Sequence, residues 1–128
     1  MNNKINTCPF CYPQGELKII TQNRLAFASF DVYPVSQGHC LVITKRHIES
    51  FFEATQEEIQ ALFSLVNEVK GKLDQLFKPD GYNIGINVFD AAGQTIPHVH
   101  VHLIPRYKGD VENPRGGIRN VIPGKGDY

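Results

Sequence analysis

The 128-residue sequence predicts an α+β fold, an antiparallel β-sheet with one long helix packed on it. Two observations predict it. Short β-prone runs stand before and after a single long segment of helical period, an order that suits a sheet covered by one helix rather than a repeated βαβ chain. The last run alternates histidine with apolar residues, the period-2 pattern of a strand that keeps one face in a core.

The elements follow in order. Residues 17–20 and 25–30 are β-prone and are separated by Thr21, Gln22 and Asn23, which reads as a hairpin. Residues 40–44 form another apolar run of strand length, introduced by Gly38. Thr55-Gln56-Glu57-Glu58 is a capping box, with Thr55 as N-cap and Glu58 reaching back. Beyond it Ile59, Leu62, Phe63, Val66, Val69, Leu73, Leu76 and Phe77 recur at three and four residues, one face of an amphipathic helix that Lys78-Pro79-Asp80-Gly81 ends. Residues 82–88 read as a strand, 90–93 as a turn, and 98–104 as the next strand, stopped by Pro105. Residues 106–128, rich in Gly and Pro, read as an irregular C-terminal segment of a single domain spanning 1–128.

Bulk properties exclude several classes of function. Hydrophobic residues make up 41% and charged residues 20%, values of a globular chain. The 13 basic and 13 acidic side chains cancel, so no global field favours nucleic acid or a membrane surface. No apolar run reaches the roughly 18 residues of a membrane span, and residues 1–7 lack the apolar stretch of a secretory signal. Three cysteines do not make a disulfide framework, and a reducing cytoplasm is the expected location.

His98-Val99-His100-Val101-His102-Leu103-Ile104 is the most informative stretch. On a strand the three histidines point one way, and Val99, Val101 and Leu103 point the other, under the helix. Successive rings then start roughly 6.5–7 Å apart, a spacing suited to groups flanking one phosphate. Neutral imidazole is a nucleophile and also a metal ligand, so the strand by itself fits either nucleophilic catalysis or a three-histidine metal site.

The alternating triad resembles the signature of the histidine triad family, and other segments match in order. Gly38-His39-Cys40-Leu41-Val42-Ile43 with Lys45-Arg46-His47-Ile48 resembles the family's G-H-x-L-V-I-x-K-x-H-I segment, and Ala92-Gly93-Gln94-Thr95 resembles its A-G-Q-[ST] turn. The resemblance implies that His100 attacks the α-phosphorus of a nucleotide and forms a covalent nucleotidyl–histidine. It implies that His102 binds the phosphate or the leaving group and supplies a proton. It places Asp31 at the ribose hydroxyls, His39 behind the triad, and Asn87, Gln94 and Thr95 along the phosphates. Phe10, Phe30 and Val32 are positioned to wall an apolar slot for an adenine or guanine base.

Cys8-Pro9-Phe10-Cys11 spaces two thiolates as a zinc knuckle does; a redox dithiol is the alternative. The resemblance supplies the remaining ligands as His47 and His98, a closed structural Zn²⁺ site. Cys40 reads as a buried free thiol. Arg106 and Arg115 stand in a tail that resembles diadenosine tetraphosphate hydrolases, where they meet a distal phosphate, or else belong to a solvated loop or a subunit contact. The resemblance implies a homodimer. The expected function is a nucleotidyl hydrolase acting on dinucleoside polyphosphates or nucleotide phosphoramidates, and histidine rather than glutamine at position 102 favours hydrolysis. Nucleotidyl transfer or phosphorolysis, and a nucleotide-binding regulatory module of low turnover, are the alternatives.

Overall fold

The computed structural model describes residues 7–11 and 17–128; the short spacer 12–16, which links the cysteine pair to the first strand, lies outside the described residues. Five strands, β1 (Lys18–Gln22), β2 (Ala26–Phe30), β3 (Cys40–Thr44), β4 (Gly81–Gly85) and β5 (His100–Arg106), form one sheet of order β1-β2-β3-β5-β4. Every neighbouring pair is antiparallel. The one α-helix among the described residues, α1 (Gln56–Phe77), packs across β1, β2, β3 and β5. This is the α+β sheet-and-helix architecture that the sequence predicts.

Helix α1 starts at the expected capping box. Thr55 accepts the Glu58 N–H at 3.1 Å, and Glu58 accepts the Thr55 N–H at 2.9 Å. The buried Glu58 carboxylate also takes two hydrogen bonds from Arg46, at 3.0 and 2.8 Å. That pair ties the loop after β3 to the helix start and so locates His47. Leu62, Leu65, Val66, Val69 and Leu73 form the buried stripe. Phe63 and Leu76, expected on that stripe, are exposed. They sit at its margins, where the helical turn carries them away from the sheet. The helix ends with Lys78 in the left-handed region (φ 52°), and Pro79 then bars continuation.

The sheet separates two apolar clusters. On the helix face Ala26, Ala28, Val42, Val101 and Leu103 meet Leu62, Leu65 and Val69. On the far face Phe27, Leu41 and Ile43 are covered by Cys8, Phe10 and Cys11. The register sets Leu41 opposite His102 and Ile43 opposite His100, so both histidines share that far face. Gly38, at φ +88°, leads into β3; a Cβ there would come within 2.8 Å of the Phe77 ring.

Several boundaries differ from the sequence expectation: β1 runs on through Thr21 and Gln22, expected to separate the strands, because they pair with Ala28 and Phe27 of β2. β5 starts at His100 rather than His98, because the preceding backbone bonds to loop instead of ladder: Val99 N–H donates to Ile48 at 2.8 Å. It runs through Pro105 to Arg106. Pro105 sits beyond the end of β3, where its carbonyl accepts the Ser36 hydroxyl at 2.7 Å, so its missing N–H breaks no ladder bond. β4 stops at Gly85 rather than continuing to 88, and the chain leaves the sheet there to bring Asn87 to the cleft described below. After β5 the described chain holds only a one-turn 3₁₀ segment, Gly117–Val121.

Candidate active site and metal centre

Two polar clusters stand on the far face of the sheet. The first joins Cys8, Cys11, His47 and His98, all buried, with their four ligand atoms within 4.8 Å of one another. Cys8 Sγ lies 3.3 Å from His98 Nδ1, Cys11 Sγ 3.0 Å from His47 Nδ1, and the two Nδ1 atoms are 3.2 Å apart. Tetrahedral zinc with bonds of about 2.0–2.3 Å spaces its ligands by roughly 3.3–3.8 Å, so the donor set suits that ion in type and dimension. His98 is pre-oriented for it. Its Nε2–H donates to the Thr44 carbonyl at 2.7 Å, which leaves the Nδ1 lone pair facing the thiolates. Burial pushes His98 down to about 4, keeping it neutral as a ligand must be.

The second cluster lines a cleft of about 750 Å³. Asp31, His39, Asn87, Thr95, His100 and His102 all face it. Phe10 and Val32 contribute apolar wall, as do Val35 and Leu41. His100 is 7% exposed. Its Nδ1–H donates to the His98 carbonyl at 2.7 Å, so its Nε2 is the nitrogen with a free lone pair. Burial lowers its basicity, partly offset by that hydrogen bond, and favours the neutral ring, the form in which imidazole can act as a nucleophile. The His100 and His102 ring centroids are 5.2 Å apart. Burial takes His102 down to about 4 as well.

Other expected residues are placed as follows. Asp31 Oδ1 accepts the Tyr33 N–H at 2.9 Å and Oδ2 lies 3.4 Å from His39 Nε2; the same carboxylate shapes a turn and faces the cleft. His39 sits 3.0 Å behind His102. Gln94 is set apart from the cleft wall. Its amide accepts Phe89 N–H at 2.8 Å and donates to Glu49 and Ile96 carbonyls at 2.7 and 3.1 Å. It braces a turn in which Phe89 holds a φ of 69°, a region disfavoured for side chains. Phe30 packs against the helix-side core instead of the cleft. Arg106 is bound by Asp110 through two hydrogen bonds and by Asn83. Arg115 is engaged by the Tyr128 carbonyl and ring. Cys40 is a buried thiol, pushed up to about 12 by burial.

Phe10 belongs to both clusters: its ring stands edge-on to His98 at 5.9 Å and to His100 at 5.2 Å. Sequence reasoning expects a backbone carbonyl at the near nitrogen of His100 without saying which, and misses the Thr44 carbonyl at His98 and the Val35 N–H at His39; the carbonyl at His100 is that of His98. Main-chain groups carry no signal in residue type.

With this geometry in hand, comparison with known proteins is decisive. The HIT domain model matches residues 13–109, most of the chain. The chain belongs to the HIT family. An uncharacterized HIT-like protein of Mycoplasma genitalium is 38% identical over 109 residues, covering 83% of this chain and 77% of that protein. The asymmetrical bis(5'-nucleosyl)-tetraphosphatase of Schizosaccharomyces pombe is 37% identical over 99 residues, 77% of this chain and 54% of that longer protein. Among solved structures, a Zn-bound histidine triad family protein from Mycobacterium smegmatis superposes with a TM-score of 0.73 at 29% identity, covering 81% of this chain and 78% of that one. Among the described residues of this HIT protein, no helix is long and apolar enough to cross a membrane.

Proposed function

We propose that this HIT protein is a nucleotidyl hydrolase that splits a nucleoside monophosphate from a dinucleoside polyphosphate or a nucleotide phosphoramidate through a covalent intermediate on His100. The observation that carries the reading is the His100 ring: neutral, held by the His98 carbonyl at Nδ1, and free at Nε2 toward the cleft. The Nε2 lone pair attacks the α-phosphorus, a P–N bond forms, and the bond to the leaving group breaks with its electron pair going to that group. Water then attacks the same phosphorus, the P–N pair returns to Nε2, and the water proton passes to solvent. Asp31 holds the ribose hydroxyls, His102 and the polar wall at Asn87 and Thr95 hold phosphate oxygens, and Gln94 acts through the loop it braces. Phe10 and Val32 contact a purine, adenine or guanine. A relative named as a nucleosyl tetraphosphatase supports this class of substrate.

Cys8, Cys11, His47 and His98 would hold a structural Zn²⁺. That ion supplies a cross-link between the N-terminal segment and the start of β5, not Lewis-acid chemistry at the phosphate. A relative named as zinc-bound supports it, beside the donor set itself. A homodimer belongs to the same reading.

The test is to trap labelled nucleotide on the acid-quenched protein after mixing with α-labelled diadenosine tetraphosphate, diadenosine triphosphate or an adenosine phosphoramidate. Label is expected on the wild type and none on His100→Ala. Tight nucleotide binding with no label from any of the three would identify a binding module instead.

A further inference from the structure

Beyond His102 the far face of the sheet continues into a second cavity, of about 520 Å³, a size ordinary for small-molecule sites. Alternation along β5 carries the histidine row on to Ile104 and Arg106, and both line this cavity. Val35 borders it as well as the cleft, so the two spaces are neighbours across one side chain. Ile104 starts about 13–14 Å from His100, four residues at the strand rise. Two hydrogen bonds fix the walls. The Tyr107 hydroxyl donates to the Gln37 carbonyl at 2.8 Å, and the Ser36 hydroxyl donates to the Pro105 carbonyl at 2.7 Å. Together they tie the loop before β3 to the end of β5.

The lining is of a different kind from that around His100. Val35, Ile104 and Val111 supply apolar surface, Tyr107 an aromatic ring, and Asn83 and Gln37 amides. Ile104 is half-buried, yet among the described residues it joins neither apolar cluster of the sheet. The cation of the cavity is already neutralised. Arg106 gives Nε and Nη2 to the two Asp110 oxygens at 2.7 and 2.8 Å, and Nη1 to Asn83 Oδ1 at 2.6 Å. A phosphate entering here would have to displace that bidentate carboxylate or stand against its charge. An uncharged planar heterocycle meets no such opposition: its faces lie on the apolar walls, and its edge can pair with the amides.

We propose that this second cavity is a nucleoside-binding site, and that it takes the far, uncharged end of a two-ended substrate whose near end lies at His100, with the phosphate bridge running along β5 past His102. This rests on nucleotidyl transfer to His100 as proposed above; the part of the substrate that enters the second cavity is then the end of the leaving group. Selection acts on what terminates the phosphate chain. A second nucleoside fills the space between Val35, Ile104 and Val111, whereas a bare terminal phosphate faces the Asp110 carboxylate.

Two measurements on the zinc-saturated full chain test the proposal. The first compares α-labelled diadenosine tetraphosphate with α-labelled adenosine 5'-tetraphosphate, which carry equal phosphate chains and differ in whether a second nucleoside ends them. The kcat/KM for labelling His100 is expected to be higher for the dinucleotide by on the order of 10-fold or more, the scale of one base set on an aromatic ring. Val111→Trp fills the cavity from its exposed rim and brings that ratio toward one. Asp110→Asn frees Arg106 for an anion and narrows the ratio by speeding the mononucleotide. The second measurement titrates adenosine into methyl-labelled protein in the presence of excess AMP. The Ile104 and Val111 methyl signals are expected to move saturably, and the Ile104 signal to stay still in Val111→Trp. Equal labelling rates from the two tetraphosphates, or Ile104 and Val111 methyls that adenosine leaves unmoved, overturn the proposal. If neither tetraphosphate labels His100, the broader transferase chemistry falls, and the titration still decides the cavity. Should Val111→Trp fail to fold, the wild type and Asp110→Asn carry the decision.

Discussion

The Cys/His cluster and the cleft are built from one short segment, yet their histidines face their surroundings with opposite nitrogens. His98 gives its Nε2–H to the Thr44 carbonyl and offers Nδ1 to two thiols. Two residues on, His100 gives its Nδ1–H to the His98 carbonyl and offers Nε2 to the cleft. The first cluster is closed, with four ligands buried around one point; the second opens onto space for a ligand. A carbonyl on one side or the other of an imidazole thus decides which of its nitrogens is left free. The clusters also lean on each other, since the His98 carbonyl orients His100 and Phe10 touches both rings.

The largest effect expected on the closed cluster comes from metal removal. Free energy of a structural zinc site is folding free energy, so a strong chelator should lower Tm by roughly 10 °C or more. Cys11→Ala should start near the chelated wild type and respond no further, which scanning calorimetry with and without chelator checks. Equal melting of the wild type in both conditions would mean that the cluster holds no structural ion.

Next in size is Phe10→Ala. Phe10 is 4% exposed, and its loss should cost about 3–5 kcal/mol in urea melts, as for other buried Phe truncations. Because the same ring fixes His100, labelling of His100 should slow as well. A stability loss with an unchanged labelling rate would show that the two regions are independent.

A smaller stability effect is expected at the open end of the row. His102→Ala should cost about 1 kcal/mol or less, because Asp31 stands ready to accept the freed His39 N–H. Turnover should nevertheless fall sharply. Comparing urea midpoints with steady-state rates for this variant separates the two readouts; a cost as large as that of Phe10→Ala would erase the contrast between cleft and core.

The gentlest probe is pH. Burial shifts His102 from an ordinary 6.5 to about 4. Between these values the unfolded chain binds a proton that the folded chain refuses, so stability should fall as pH drops from 6.5 through about 4. His102→Gln should make that slope shallower in thermal melts across the window, and an identical slope would assign the acid sensitivity elsewhere.

Much of the architecture was legible because it follows from periodicity. Thr55 and Glu58 marked the helix start, and the alternation of Val99, Val101 and Leu103 marked the face that goes under it. Two elements misled where tertiary bonds overrode local pattern. Pro105 continues β5 since no ladder partner needs its N–H, and His98 leaves the ladder because its N–H, like that of Val99, bonds a loop carbonyl. Phe63 and Leu76 counted as core by spacing, but they stand at the margins of the buried stripe of α1 and are exposed.

By itself the sequence determined which residue types share a face: the histidine row, the cysteine pair and the apolar backing all follow from side-chain alternation and spacing, which are local. Only the tertiary structure decided which nitrogen of each ring is free, how His47 and His98 join cysteines far away in the chain, and that Gln94 and Arg106 are already bonded within the protein. Those outcomes depend on main-chain carbonyls and amides brought together from distant segments. Every residue carries the same carbonyl and nearly every one the same N–H, so no pattern of side chains records where they will meet.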